Sequence, residues 1–367
     1  MKAKVLFWFL LALLWVLPAA AQDMPAPDAA RVRFVHLSAD VANVDVYVGD
    51  EPAAADIAFG TISDYTAFTP GIYPFSVVET GSADALITPA DVELLANHDY
   101  VYGIMGLAEE GTFQRLLIDE TAQFDDTRAG LAHVLFLHAI SGVAPVDARI
   151  EGSDQRFASG LEFGGYEFHS VAAGEYPLVV SLSSDTSAIL LDQLNPVTLY
   201  PDRLYFIAAL NTADGGIDML VSVTGTLTIS QLLANGDDFN TLRAFIEAAG
   251  LMETLSNRSA PPVTVFAPTD EAFTAAFDAL GLEPGTLLDA PDLLNSILLY
   301  HISPQLIISA DANQIDTMPT LQGGTIQLTL EGTTMLLNGG ARVTQADILA
   351  ANGVIHLIDG LLIPPAP

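Results

Sequence analysis

The side chains in this chain that could do acid–base or metal chemistry are seven histidines and 45 carboxylates, and there is no cysteine to add a thiolate. His133 and His138 stand five apart in an apolar run that reads as a strand. An odd separation in a strand puts two side chains on opposite faces, so this pair cannot share a metal ion. His36 and His138 occupy equivalent places in a repeat set out below, and each reads as a histidine hydrogen-bonded at a sheet surface. Asp40, Asn43 and Asp45 surround one turn, and Asp237-Asp238 follow Gly236. Neither group has the spaced oxygen ligands of a calcium loop. Asp and Asn are favoured at such turns for their local hydrogen bonds. The chain has no Gly-x-Ser-x-Gly, no His-Glu-x-x-His, no phosphate loop and no dinucleotide fingerprint. Asn257-Arg258-Ser259 is a glycosylation sequon. The pattern names no catalytic residue, no metal site and no cofactor, so the expectation is a chain that is not an enzyme.

The elements that would position any site are clearest at Val263–Phe273. Val263, Val265 and Phe266 are strand formers. Pro268 cannot donate to a ladder and should end that strand. Thr269 is placed to cap a helix, and Asp270 and Glu271 put negative charge at the positive end of its dipole. Phe273, Phe277 and Leu280 follow at helical spacing. Upstream, Ile229–Ala234 and Leu242–Ala249 read as helices, the second stopped by Gly250, and 287–299 reads as mostly helical. Thr325–Leu330, Thr334–Leu337 and Val354–Ile358 read as strands.

The length of 367 residues suits two or three domains. Lys2 and Lys4 precede an uncharged apolar run, Val5–Leu17, and Ala19-Ala20-Ala21 complete a signal-peptide pattern over 1–21. The run of 13 residues is short of the roughly 20 that a spanning helix needs. A Pro- and Ala-rich linker occupies 22–29. Removing 1–21 removes both lysines and leaves 10 Arg against 45 acids, a net charge of 10 − 45 = −35. Such a field repels nucleic acid and anionic lipid, so neither is expected as a partner, and no stable membrane insertion is expected after cleavage.

A second organising feature is internal repetition. Phe34, His36, Val41, Ala42, Val44 and Asp45 recur as Phe136, His138, Val143, Ala144, Val146 and Asp147, all 102 residues on. Gly71, Tyr73, Pro74 and Val77 recur 103 residues on as Gly174, Tyr176, Pro177 and Val180. Asp99, Tyr102, Ile104 and Leu107 match Asp202, Tyr205, Ile207 and Leu210 at that same offset. Short strands with turn signals between them predict two tandem β-sandwiches, at 30–128 and 130–224. Pairing Val32–Ser38 with Asn43–Gly49 as a hairpin would face His36 to Asp45, and His138 to Asp147, and raise each histidine pKa.

Phe34-Val-His-Leu-Ser-Ala-Asp with Val44-Asp-Val-Tyr-Val resembles a bacterial secreted domain of unknown function. The second copy departs from it, with Asp147-Ala-Arg-Ile in place of Asp45-Val-Tyr-Val. The part from 226 to 364 resembles the fasciclin domain, an extracellular adhesion module. The resemblance rests on Ile229-Ser-Gln-Leu-Leu-Ala-Asn-Gly-Asp-Asp-Phe, Thr264-Val-Phe-Ala-Pro-Thr-Asp-Glu-Ala-Phe, Leu298-Leu-Tyr-His-Ile, Leu321-Gln-Gly-Gly and Asn352-Gly-Val-Ile-His-Leu-Ile-Asp-Gly. It implies a β-sandwich core with packed helices. The chain as a whole is therefore expected to be mainly β with an α+β C-terminal domain. In animal matrix relatives, integrin-binding segments lie around a Tyr-His and an Asp-Ile motif. The resemblance thus implies binding through Tyr300, His301, Asp347 and Ile348.

The expected function is a secreted or cell-envelope-associated, non-catalytic adhesion protein. Its partner would be an extracellular matrix or cell-surface protein or polysaccharide. A passive structural part of an envelope or biofilm matrix is the other reading. From Thr226 onward the charge is 3 − 15 = −12, against 7 − 30 = −23 for 22–225. The less acidic C-terminal module is therefore expected to make the contact, with the repeats acting as a charged spacer.

Overall fold

The computed structural model describes residues 28–123, 130–153, 155–192, 196–258, 260–281 and 283–365. The expected signal peptide and nearly all of the linker lie outside them. The described residues are mostly strands with few helices, and no described helix is long and apolar enough to cross a membrane.

The first copy is a sandwich of two sheets. One sheet runs Thr61–Ile62, Ala30–Leu37, Asp99–Met105, Gln114–Asp119, and Thr66–Phe68 also pairs with Ala30–Leu37. The other runs Glu51–Ile57, Val44–Val48, Gly71–Glu79, Ala85–Leu94. Val32, Phe34, Val44, Val46, Phe75 and Tyr102 fill the core between them. The expected hairpin of Val32–Ser38 with Asn43–Gly49 does not form. Ala30–Leu37 pairs in parallel with Asp99–Met105, and Val44–Val48 pairs with Gly71–Glu79. The reason is the alternation itself: Val32 and Phe34 of one strand and Val44 and Val46 of the other need each other across a core. The strands must therefore face from opposite sheets rather than lie side by side.

His36 accordingly never meets Asp45. Its Nε2 lies 2.9 Å from the Ala42 carbonyl, and burial holds its pKa below the ordinary value, against the opposing pull of the Ala42 and Val41 carbonyls and of Asp40. The Asp45 carboxylate instead accepts from Asp56 N at 2.7 Å and Thr80 Oγ1 at 2.8 Å.

The second copy repeats this plan. One sheet runs Tyr166–Val171, Ala132–Ala139, Arg203–Asn211, Ile217–Gly225, and the other Arg156–Leu161, Val146–Ile150, Leu178–Leu182, Asp185–Asp192. His138 is displaced to about 4 by burial, and Asp147 is spent on Gly160 N, Ser183 Oγ and Arg156. One part of the sequence match slips. Val32 pairs with Tyr100, but Val134 pairs with Tyr205. Tyr100 and Tyr205 also receive the same kind of bond, from the backbone N–H five residues before each. Tyr205 is thus the counterpart of Tyr100, two residues from the sequence match with Tyr102.

The two copies pack sheet against sheet. Val35, Leu37, Val101 and Met105 of the first meet Leu135, Leu137, Phe206 and Ala208 of the second in one apolar cluster. Ala30–Leu37 and Ala132–Ala139 are therefore covered on both faces and buried at every position, Arg31 and Arg33 included.

The C-terminal unit holds a strand path Ile302–Ser303, Val263–Pro268, Gly353–Ile358, Ala341–Ala350, Thr334–Leu337, Thr325–Glu331, Thr317–Pro319. Val263–Pro268 passes directly into the helix Asp270–Leu280, where Thr269 Oγ1 accepts from Ala272 N at 3.2 Å. Phe273 and Phe277 pack with Phe245, Leu294 and Ile297 in a helical core on this sheet. A second cluster, around Phe266, Tyr300, Met318 and Ile358, fills the strand-rich side.

Candidate binding site

The Tyr300-His301 pair ends the helix Pro291–Tyr300, and both side chains are 2% exposed. Tyr300 donates its hydroxyl to the Thr325 carbonyl at 2.7 Å and accepts from Asn338 Nδ2 at 3.1 Å. His301 Nδ1 lies 2.8 Å from the Ile297 carbonyl, and its Nε2 accepts from Leu362 N at 3.0 Å. Burial presses the His301 pKa down to about 4, which suits that acceptor role because the ring must be neutral to accept. Both side chains face inward and hold the helix end to the sheet.

Asp347 sits at a left-handed position, φ 60°. Its carboxylate accepts from Ser309 N at 2.8 Å and from Ser309 Oγ. Its own N–H donates to His356 Nδ1 at 3.2 Å, and its carbonyl accepts from Arg203 Nη2 of the second copy at 2.7 Å. Ile348 packs against the helical core.

These residues bracket one segment. Pro304, Gln305 and Leu306 form an exposed tip. Behind it, Thr264 Oγ1 donates to the Gln305 carbonyl at 2.7 Å and accepts from Ile307 N at 2.9 Å. His356 Nε2 lies 2.8 Å from the Ile307 carbonyl, and Asp347 secures Ser309. His356 is buried, which lowers its pKa. Of the four residues singled out in the sequence, Asp347 alone bonds to this segment, Tyr300 and His301 fix the helix end that precedes it, and the tip itself carries no motif.

Leu306 also lines a cleft of about 480 Å³ where all three units meet. Arg31, Tyr65 and Thr66 come from the first copy, Val223–Gly225 from the second, and Arg258, Pro261, Pro262 and Leu349–Gly353 from the C-terminal unit. Arg31 spans the junction. Its Nε and Nη2 donate to Asp99 at 2.7 Å each, and its Nη1 donates to the carbonyls of Arg258, at 2.9 Å, and Ala351. Arg258 adds a donation from Nη2 to Asp99 Oδ2 at 2.7 Å. Burial alone would raise the Asp99 pKa, but the Arg31 hydrogen bonds and the charges of Arg31, Arg258 and Arg33 reverse that and hold it below the ordinary value. Arg33 is paired with Glu120 and donates to Ser222 Oγ of the second copy at 3.1 Å. Gly225 lies so close to Ala350 that an added Cβ would come within 2.5 Å of its Cα. The repeats are therefore docked on the C-terminal unit at several points, and this replaces the expectation of a spacer.

Arg31 and Arg258 were not found from the sequence. Arg31 and Arg33 alternate within an apolar strand, which marks charges that must be paired on burial. Arg258 sits inside the sequon, where Asn257 is 8% exposed. Among the described residues, no three His, Asp or Glu side chains are grouped to hold a metal ion.

Comparison with known proteins fits this architecture. The fasciclin domain matches residues 237–364, and a domain of unknown function (DUF4397) matches residues 30–131. Transforming growth factor-beta-induced protein ig-h3 of Sus scrofa is 37% identical over 139 residues, covering 38% of this chain and 20% of that protein. Protein sll1483 of Synechocystis is 39% identical over 139 residues, covering 38% of this chain and 74% of that protein. The chain thus spans a fifth of the length of the pig relative and about three quarters of the cyanobacterial one. A solved domain pair from the insect cell adhesion molecule Fasciclin I aligns at 17% identity and a TM-score of 0.35, over 60% of this chain and 67% of that one. Through its C-terminal unit, this chain belongs to the fasciclin domain family.

Proposed function

We propose that this is a secreted or cell-envelope-associated, non-catalytic adhesion protein whose fasciclin unit makes the contact. The partner class is an extracellular matrix or cell-surface protein or polysaccharide. Membership of the fasciclin family supports the adhesion role. The observation that carries the choice of surface is the Pro304–Leu306 tip: exposed, yet tied at Gln305 by Thr264 and anchored just after it, at Ile307 and Ser309, by His356 and Asp347. A tip fixed before binding loses little conformational entropy when it engages a partner. Asp347 serves this contact by holding Ser309 just beyond the tip, Tyr300 and His301 fix the helix end that leads into it, Ile348 packs against the helical core, and the docked repeats hold the unit in one orientation.

Pull-down from native envelope and matrix material with the full chain tests this. The double variant Gln305→Ala, Leu306→Asp should lose most of the captured material with an unchanged unfolding midpoint. Capture at the wild-type level by that variant would remove the tip from the contact.

A further inference from the structure

Arg31, with its guanidinium 4.4 Å over the Tyr65 ring, is fully committed: Nε and both terminal nitrogens have acceptors. Arg258 is not. Its Nη2 reaches Asp99, its Nε is buried with no acceptor, and its side chain remains 33% exposed where it lines the cleft. Two guanidinium groups thus share the single Asp99 carboxylate, and the adjacent Arg33 is matched by its own Glu120. A buried N–H of a charged group left without an acceptor costs about 1–3 kcal/mol, so such a group calls for a partner. Around it the cleft is walled by Pro261, Pro262, Leu306, Leu349 and Ala350. One further carboxylate, Asp64, stands exposed in the lining.

We propose that the cleft at the junction of the three units binds a ligand with one carboxylate on a compact apolar body, the carboxylate being received by Arg258. The charge of the chain selects that class over an acidic polymer. With 45 acids against 12 Lys plus Arg in the whole sequence, a polyanion is repelled along its length, and a second charge in the cleft would meet Asp64. A single carboxylate is attracted at short range, and its apolar body gains by leaving water against the prolines and leucines. The chemistry is shared by a free hydrophobic acid and by a peptide chain end. This site is separate from the Pro304–Leu306 contact in its ligand and in its key residue, although Leu306 borders both.

The test is titration of the full chain, by NMR or calorimetry at low salt, with two acids and their amides. Hexanoate with hexanamide represents the free acid, and N-acetyl-leucine with N-acetyl-leucinamide represents the chain end. Each acid should bind at least tenfold more tightly than its amide, and affinity should fall with added salt. Whichever acid binds more tightly identifies the source. Polygalacturonate should not compete. In Arg258→Gln the preference for acid over amide should vanish, and Arg258→Lys should restore part of it. Denaturant unfolding of both variants separates a lost site from a lost fold, and the acid–amide comparison in the unaltered protein needs no variant. Equal binding of acid and amide, or no binding of either acid, overturns the proposal.

Discussion

The two tandem copies share one sandwich plan and use one of its surfaces in different ways. On the outer face of the first copy's sheet, Val35 and Leu37 are apolar and meet the second copy. Arg31 and Arg33, on the same face of the same strand, are charged and buried, paired with Asp99 and Glu120. The positions 102 residues on hold His133 and Leu135, and Leu135 packs in the apolar cluster. The inner faces, by contrast, are alike, down to His36 and His138 with their Nδ1 atoms each accepting a backbone N–H two residues ahead. The core thus follows the fold, and the outer face follows what the copy touches. The first copy brings Arg31 into the cleft shared with the fasciclin unit, where the second copy contributes Val223–Gly225.

The sharpest break in that comparison is Arg33→Ala. It leaves Glu120 buried without its cation, and removing one partner of a buried pair costs about 3–5 kcal/mol. Replacing both partners, Arg33→Leu with Glu120→Leu, imitates Leu135 of the second copy and should recover most of that loss in urea unfolding. A single variant as stable as the parent would mean that the pair is an ornament of the junction.

The shared histidines give the next effect. His138 is held near 4 and His36 is also lowered, but only His36 has a nearby carboxylate, Asp40, pulling the other way. The position equivalent to Asp40 is Gly142. A histidine with a depressed folded pKa is neutral in the fold, while the unfolded chain takes up its proton near 6.5. Between about 6.5 and 4 the unfolded state therefore binds more protons, and stability falls as pH falls through that window. For His138 the full loss is about 3 kcal/mol, at 1.36 kcal/mol per pH unit. His138→Gln should flatten the dependence of unfolding free energy on pH more than His36→Gln does. An equal effect from both would remove Asp40 from the account.

Much of this architecture was legible in the sequence. The strand that runs into a helix at Val263–Phe273 announced itself through Pro268 and Thr269, because caps and ladder breakers act locally. The repeat was legible because core positions alternate in the same order twice. What escaped was non-local. Whether Val44–Val48 lies beside Ala30–Leu37 or across from it depends on which apolar faces meet, and alternation alone permits both. The two-residue slip at Tyr205 escaped because Asp202 and Tyr205 mimic Asp99 and Tyr102 in type. At the site, Tyr300, His301 and Asp347 were found as motifs, yet where each side chain is held depends on partners such as Asn338, Leu362 and Ser309, 38, 61 and 38 residues away in the chain. The cleft has no motif, since its walls come from all three units.

Gly225 probes the contact between the second copy and the fasciclin unit. A side chain there meets the Leu349 carbonyl and Ala350, which are backbone and cannot swing aside. Gly225→Val should cost about 1–3 kcal/mol, as overpacking does. It should also open the junction, seen as a larger radius of gyration in small-angle scattering. Unchanged scattering with full stability would mean that the two units are not held by this approach.

The smallest effect belongs to Tyr300 and decides how that residue serves the fasciclin unit. Its ring lies in the strand-side core and its hydroxyl is spent on Thr325 and Asn338. Tyr300→Phe keeps the ring and deletes only those bonds. The net worth of such a bond is about 1 kcal/mol, and the Thr325 carbonyl and Asn338 amide lose a partner with it. Unfolding should therefore shift by about that amount, and capture of envelope and matrix material should stay at the parent level because no partner reaches the hydroxyl. The opposite outcome, full stability with weakened capture, would show that the hydroxyl turns outward in the bound protein. That result would move the contact from the Pro304–Leu306 tip to the Tyr-His pair itself.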